Sequence, residues 1–178
     1  MTSLPRTSSK LEELILYVAK LSVMDPHFGM TKLNKILFAV DFFAFARLGA
    51  SVTGQTYQKL EHGPAPRGIL PAIRALELCG RATTQRRQVG FGKTQARVVA
   101  LVENADISRF TAAEIDLVHY VLSNFDGETA TSLSRWSHDF IGWKAADLQA
   151  DISYETVFVD DPKLPMQPEE LEYAKQFG

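Results

Sequence analysis

Asp41 is the ionisable residue whose surroundings most demand an explanation. It stands between Val40 and Phe42-Phe43 in the most apolar stretch of the 178-residue chain. An unpaired charge buried there costs on the order of several kcal/mol, so the carboxylate must find partners. It could serve as a contact or a general base. It could instead accept hydrogen bonds from backbone N–H groups, and the His62-Gly63-Pro64 turn is nominated as their source. The structural use is favoured, because buried carboxylates are rarely left unpaired.

Other chemistry-bearing residues do not assemble into a set. His27, His62, His119 and His138 are scattered without metal-ligand spacing. Cys79 stands alone, so it makes neither an internal disulfide nor a thiolate cage. Ser137-His138-Asp139 has the residue types of a hydrolytic triad, but successive helical residues point about 100° apart and cannot relay a proton in series. Gly90-Phe91-Gly92-Lys93-Thr94 mimics the end of a phosphate-binding loop. Arg87 stands where that loop needs glycine, and the run lies between two strand-like segments, so it reads as a turn. The expectation is no cofactor, no metal and no enzymatic activity.

Charge is distributed more tellingly. Between Leu78 and Val102 stand Arg81, Arg86, Arg87, Lys93 and Arg97, with no acidic residue among them. This basic segment suits contact with an acidic partner face or with nucleic acid. It equally suits an exposed edge hairpin charged against unwanted pairing. A protein partner is preferred to DNA, because the whole chain carries a net charge of −2. Towards the C-terminus, Asp147, Asp151, Glu155, Asp160, Asp161, Glu169, Glu170 and Glu172 outnumber Lys163 and Lys175. That tail could cover a basic surface of a partner, fold back on the basic hairpin, or remain solvated.

The elements that must position these groups follow from periodicity. Ser8 or Ser9 caps a first helix, with Glu12 and Glu13 near its positive end and Leu11, Leu14, Ile15, Val18 and Leu21 on one stripe. Thr31 is a candidate cap for a second helix, which Gly49 ends. In it Leu33, Ile36, Leu37, Val40 and Ala44 line one face, and Phe38, Phe42 and Phe45 another. A helix apolar on most sides belongs in the middle of a core. Thr53 to Glu61 reads as extended and runs into a Gly-Pro turn, after which Ile69, Leu70, Ile73, Leu76 and Leu78 mark a third helix. Arg81–Val89 and Thr94–Val102 form a hairpin. Helices follow from Thr111, over about 128–139, and around Trp143, and 152–159 suits a strand. Trp136 and Trp143, with Phe140 and Ile141, read as core, and an exposed indole would be a candidate interface anchor. The fold class is mainly α (α+β): a compact helical domain around a central hydrophobic helix, with one β-hairpin, loosely winged-helix-like. The opening residues lack the apolar run of a signal peptide, and no stretch reaches the roughly 18 apolar residues of a membrane span. A cytoplasmic location is expected.

Lys32-Leu33-Asn34-Lys35-Ile36-Leu37-Phe38-Ala39-Val40-Asp41 resembles the signature helix of Panacea-domain proteins, the SocA-like antitoxin family. The resemblance continues through Val52-Thr53-Gly54-Gln55-Thr56-Tyr57 and Leu60-Glu61-His62-Gly63-Pro64-Ala65-Pro66. It closes on Ser137-His138, Trp143-Lys144 and Ile152-Ser153-Tyr154. Val52 replaces the more usual isoleucine, and His62 stands where an aromatic residue is common. The resemblance implies an antitoxin that neutralises a toxin encoded nearby through protein–protein contact. One branch of the family is implied to act as an adaptor to a bacterial protease, and other members are phage-associated. The motif residues so implied, structural or partner-contacting, are Lys32, Leu33, Asp41, Thr53, Gly54, Tyr57, His62, Gly63 and Pro64. The expected organisation is a Panacea-like domain over 1–159 and an acidic, proline-containing tail over 160–178. The alternative function is a winged-helix-like DNA-binding regulator, using the helix pair within Thr111–Asp139 and the basic hairpin.

Overall fold

The structure is a computed structural model, and it describes residues 8–89 and 92–159. Helix α1 (Lys10–Leu21) starts at Ser9, whose side chain accepts the Glu12 N–H. Helix α2 (Met30–Leu48) is capped at Gly29, two residues before the Thr31 cap expected, and ends at Gly49 with φ 83°. That left-handed conformation is why glycine stands there. Twelve of the nineteen α2 residues are buried, which makes it the spine of the fold.

The two apolar faces of α2 serve two separate clusters. Leu33, Ile36, Leu37, Val40 and Ala44 pack with Leu14, Ile15 and Val18 of α1, with Ile73 and Leu76 of α3 (Ile69–Leu78), and with Val118 and Val121 of α4 (Ala112–Asn124). Phe38 and Phe42 instead meet Tyr57, Phe140, Ile152 and Val157. Helix α4 begins with a full capping box between Thr111 and Glu114. Helices α5 (Ala130–His138) and α6 (Ile141–Ala145) follow.

Strands β3 (Ala82–Gln88) and β4 (Thr94–Ala100) pair antiparallel from Ala82↔Ala100 to Gln88↔Thr94, as the sequence predicts. A second sheet was not predicted. Strand β1 (Tyr57–Leu60) pairs antiparallel with β2 (Gly63–Pro66) across the two-residue link Glu61-His62, and β5 (Asp151–Ile152) adds on its other side, giving the order β2-β1-β5. The Gly-Pro segment is therefore a strand and not only a turn. Its prolines cannot donate to a ladder, and they are tolerated because β2 is an edge. The strand expected over 152–159 shrinks to Asp151–Ile152. A 3₁₀ turn over Tyr154–Phe158 replaces the rest, because its near-threefold repeat sets Tyr154 and Val157 on the same side against the aromatic cluster.

The acidic tail over 160–178, and Gly90 and Phe91 of the hairpin turn, lie outside the described residues. Among those described, no helix is long and apolar enough to cross a membrane.

Candidate functional site

Three polar side chains of α2 are buried, and the uses they find are unequal. Asp41 is wholly buried. It accepts the Thr53 N–H at 2.8 Å, the Thr53 hydroxyl, and the Tyr57 hydroxyl at 2.8 Å. Burial pushes its carboxyl up from the ordinary value, and these donors act in the opposite direction. Tyr57 is pushed up too, by burial and then by the neighbouring Asp41 charge. Asp41 is thus a structural acceptor, but the partner expected for it was wrong. It holds the segment Thr53–Tyr57, and the His62-Gly63-Pro64 turn is out of its hands. The reason is register: Asp41 lies in the fourth turn of α2, whereas Gly63 and Pro64 pack beside Lys35, nearer the helix start.

Lys32 and Lys35, one turn apart on α2, are both buried, at 2% and 1% exposure. Lys32 is fully provided for. Its ammonium donates to the carbonyls of Phe125 and Glu128, both at 2.7 Å, and pairs with Asp25 at 2.8 Å. Three donors meet three acceptors, and the α1–α2 and α4–α5 links are tied to the start of the spine. Among the described residues Lys35 has only the Pro64 carbonyl, at 3.5 Å, beyond the usual reach of a strong N–H···O bond. Burial brings its amine down to about 7. Gly63, at φ 106°, makes room for it: a Cβ there would lie 2.6 Å from Lys35 Nζ and 2.3 Å from Ser137 Oγ. Only glycine combines that backbone angle with that approach.

Lys35 borders a cleft. One part, about 360 Å³, is lined by Thr31, Asn34, Lys35, His62, Gly63 and Gln149, among others. A second part, about 590 Å³, shares Thr31 and His62 with it and continues past His27 and Ser134 to Lys93 and Gln95 on the hairpin. The lining of both parts contains one acidic residue, Glu61. Two buried polar atoms in this neighbourhood, Asn34 Oδ1 and His138 Nε2, have no hydrogen-bond partner among the described residues. The His138 ring stacks on Trp143, with centroids 3.9 Å apart. Its basicity is lowered by burial and then by Lys35.

The basic hairpin divides into two groups. Arg81 makes a two-pronged contact with buried Glu13, at 2.5 and 3.1 Å. Arg97 donates to the Ser22, Val23 and Asp25 carbonyls just past the end of α1, and its guanidinium lies over Phe28. Both residues fasten the hairpin to α1. Arg86, Arg87 and Lys93 are exposed on its outer half.

Ser137, His138 and Asp139 do not converge: the Ser137 hydroxyl donates to the Ser134 carbonyl, and His138 faces Trp143. Trp136 packs on Phe38 and Phe125, and the Trp143 indole N–H donates to the Leu60 carbonyl, so both are half-buried fold elements. Among the described residues no cluster of His, Cys, Asp or Glu could hold a metal.

These features define a class: a small α+β domain whose buried spine fixes loops with its polar groups and leaves at one end a cleft bordered by Lys35 and Lys93. The chain belongs to the SocA-like antitoxin family, Panacea domain, whose family model matches residues 33–144. No curated protein and no solved structure matches it. Membership supports an antitoxin role at the level of the family, which suggests regulation without turnover and implies a toxin partner in general terms.

Proposed function

We propose that this protein neutralises a toxin encoded beside it by direct protein–protein contact. The observation that carries this reading is the family match over more than half of the chain. The domain we assign to the task spans 1–159, with 160–178 as an appended acidic tail. The surface best suited to a partner is the cleft with His62 and Gly63 at its centre, together with Arg86, Arg87 and Lys93 beside it. These charges are not consumed by the fold, unlike those of Arg81 and Arg97. Exposed cations at the rim of an interface act mainly on the rate of association, through complementary charge.

Co-expression with the neighbouring gene product tests the reading. Growth should be rescued from that product's toxicity, and the two proteins should co-purify. If the protein works as a proteolytic adaptor, rescue requires the host protease and the toxin's half-life shortens. If it works by occlusion, rescue survives deletion of the protease. Absence of both rescue and complex would refute the antitoxin role.

A further inference from the structure

We propose that the cleft receives an acidic segment of the partner protein and that Lys35 takes one of its carboxylates. The inference rests on the antitoxin reading and names the chemistry of its contact.

The contrast between two lysines is its starting point. Lys32 spends all three ammonium hydrogens on acceptors at normal distance, whereas Lys35, just as deeply buried, has one long contact. Buried polar groups are almost always well satisfied, so one held by a single long contact at the border of a cavity points to something that enters it. The space suits a stretch of chain better than a lone ion, since two adjoining hollows of about 360 and 590 Å³ share Thr31 and His62 and together reach from Gln149 to the hairpin. Its lining favours an acidic visitor: two amines, Lys35 and Lys93, stand in it against one carboxylate, Glu61. Helix α2 also starts there, with no side-chain cap and no acidic residue in its first turn, and Thr31 of that turn lines both parts.

The amine, near 7 when the cleft is empty, becomes a full ammonium when a carboxylate arrives beside it. Each binding event therefore draws a proton from solvent wherever Lys35 is neutral beforehand. The other titratable groups facing this region are His138 from α5, His62 and Glu61 from the β1–β2 link, His27 from the α1–α2 link and Lys93 from the hairpin. The Lys35→Met variant separates their contribution from that of the amine.

The experiment is calorimetric titration with the neighbouring gene product at pH 6, 7 and 8, in buffers of different ionisation heat. The expected result is net proton uptake at pH 7 and 8, with affinity about tenfold weaker at pH 8 than at pH 6, as an amine titrating near 7 requires. Lys35→Met should fold normally, lose the uptake and flatten the pH dependence, with at least tenfold weaker binding at pH 6. Three outcomes would overturn the proposal. The first is a complex with no proton uptake, bound equally well by Lys35→Met, which leaves the antitoxin reading intact. The second is a Lys35→Met variant that unfolds, which makes Lys35 a fastening for the Pro64 strand. The third is a change in Lys35 labelling by formaldehyde and cyanoborohydride when residues 160–178 are deleted, which makes the chain's own tail the occupant. If no complex forms and growth is not rescued, both readings fall together.

Discussion

Glu13→Gln removes the charge that joins α1, the base of the β3–β4 hairpin and the loop before α4. In the wild type, Glu13 accepts Arg81 through both carboxylate oxygens, the Asp106 N–H at 2.7 Å, and the Ser8 hydroxyl. Burial alone pushes its carboxyl up, yet hydrogen bonds from Arg81, Ser8 and Asp106, with the Arg81 charge, bring it from 4.5 down to about 2. A carboxyl depressed on folding stabilises the native state at pH values above its unfolded value of 4.5. That contribution is lost as pH falls from 4.5 towards 2. A shift of this size corresponds to about 3 kcal/mol. Because the Arg81 side chain is 26% exposed, solvent screens part of that sum, and a loss of about 2 kcal/mol at pH 7 is the expected cost. Urea unfolding followed by circular dichroism should show this gap between wild type and variant at pH 7. By pH 3 the gap should close by more than half. A gap that stays constant from pH 7 to pH 3 would refute the argument, because it would mean that Gln disturbs packing and that the charge is idle.

Asp41→Ala strands the buried Tyr57 hydroxyl and the Thr53 donors, so it should lower unfolding stability by about 2–4 kcal/mol, read from a urea midpoint. Unchanged stability together with lost partner binding would make Asp41 a contact. Arg86→Glu with Arg87→Glu should leave the melting temperature within about 2 °C, because neither side chain is used by the fold. The same pair should slow association with the toxin in surface-binding measurements, most clearly at low salt. Any DNA binding by the wild type at low salt should be weakened by this pair with a shallower salt dependence, and no binding at all would end the regulator alternative.

The spine was legible in the sequence because an all-round apolar run over Leu33–Phe45 has few places to go in a folded chain. The basic hairpin was legible because two β-prone runs flank a glycine-rich turn. The second sheet was hidden by its composition. Gly63-Pro64-Ala65-Pro66 reads as a break, and only its place at a sheet edge makes it a strand. For Asp41, sequence showed that a partner was needed but not which one, since sixteen residues separate it from Tyr57. The same reasoning applies to Lys32 and Lys35, which stand in the same apolar helix, but a lysine's long stem offers an escape to solvent that an aspartate lacks. Which of the two lysines is provided for depends on carbonyls at Phe125 and Glu128, more than ninety residues away. The sign of the hairpin charges was plain, whereas the division that consumes Arg81 and Arg97 depends on Glu13 and the end of α1.

Because α2 carries a cluster on each side, the stretch recognised by the family model is shorter than the piece that can stand alone. A fragment trimmed to 33–144 would lose α1, and with it Leu14, Ile15 and Val18 from the larger cluster. It would also lose Ile152 and Val157 from the aromatic one, along with Tyr154, whose ring lies 4.5 Å from that of Phe42. Strand β1 would be stripped of β5 and present a raw edge beside bared phenylalanines, a pairing that invites chains to stick to one another. Grafting this module onto another chain, or trading it between relatives, therefore has to carry α1 at one end and the 3₁₀ turn at the other.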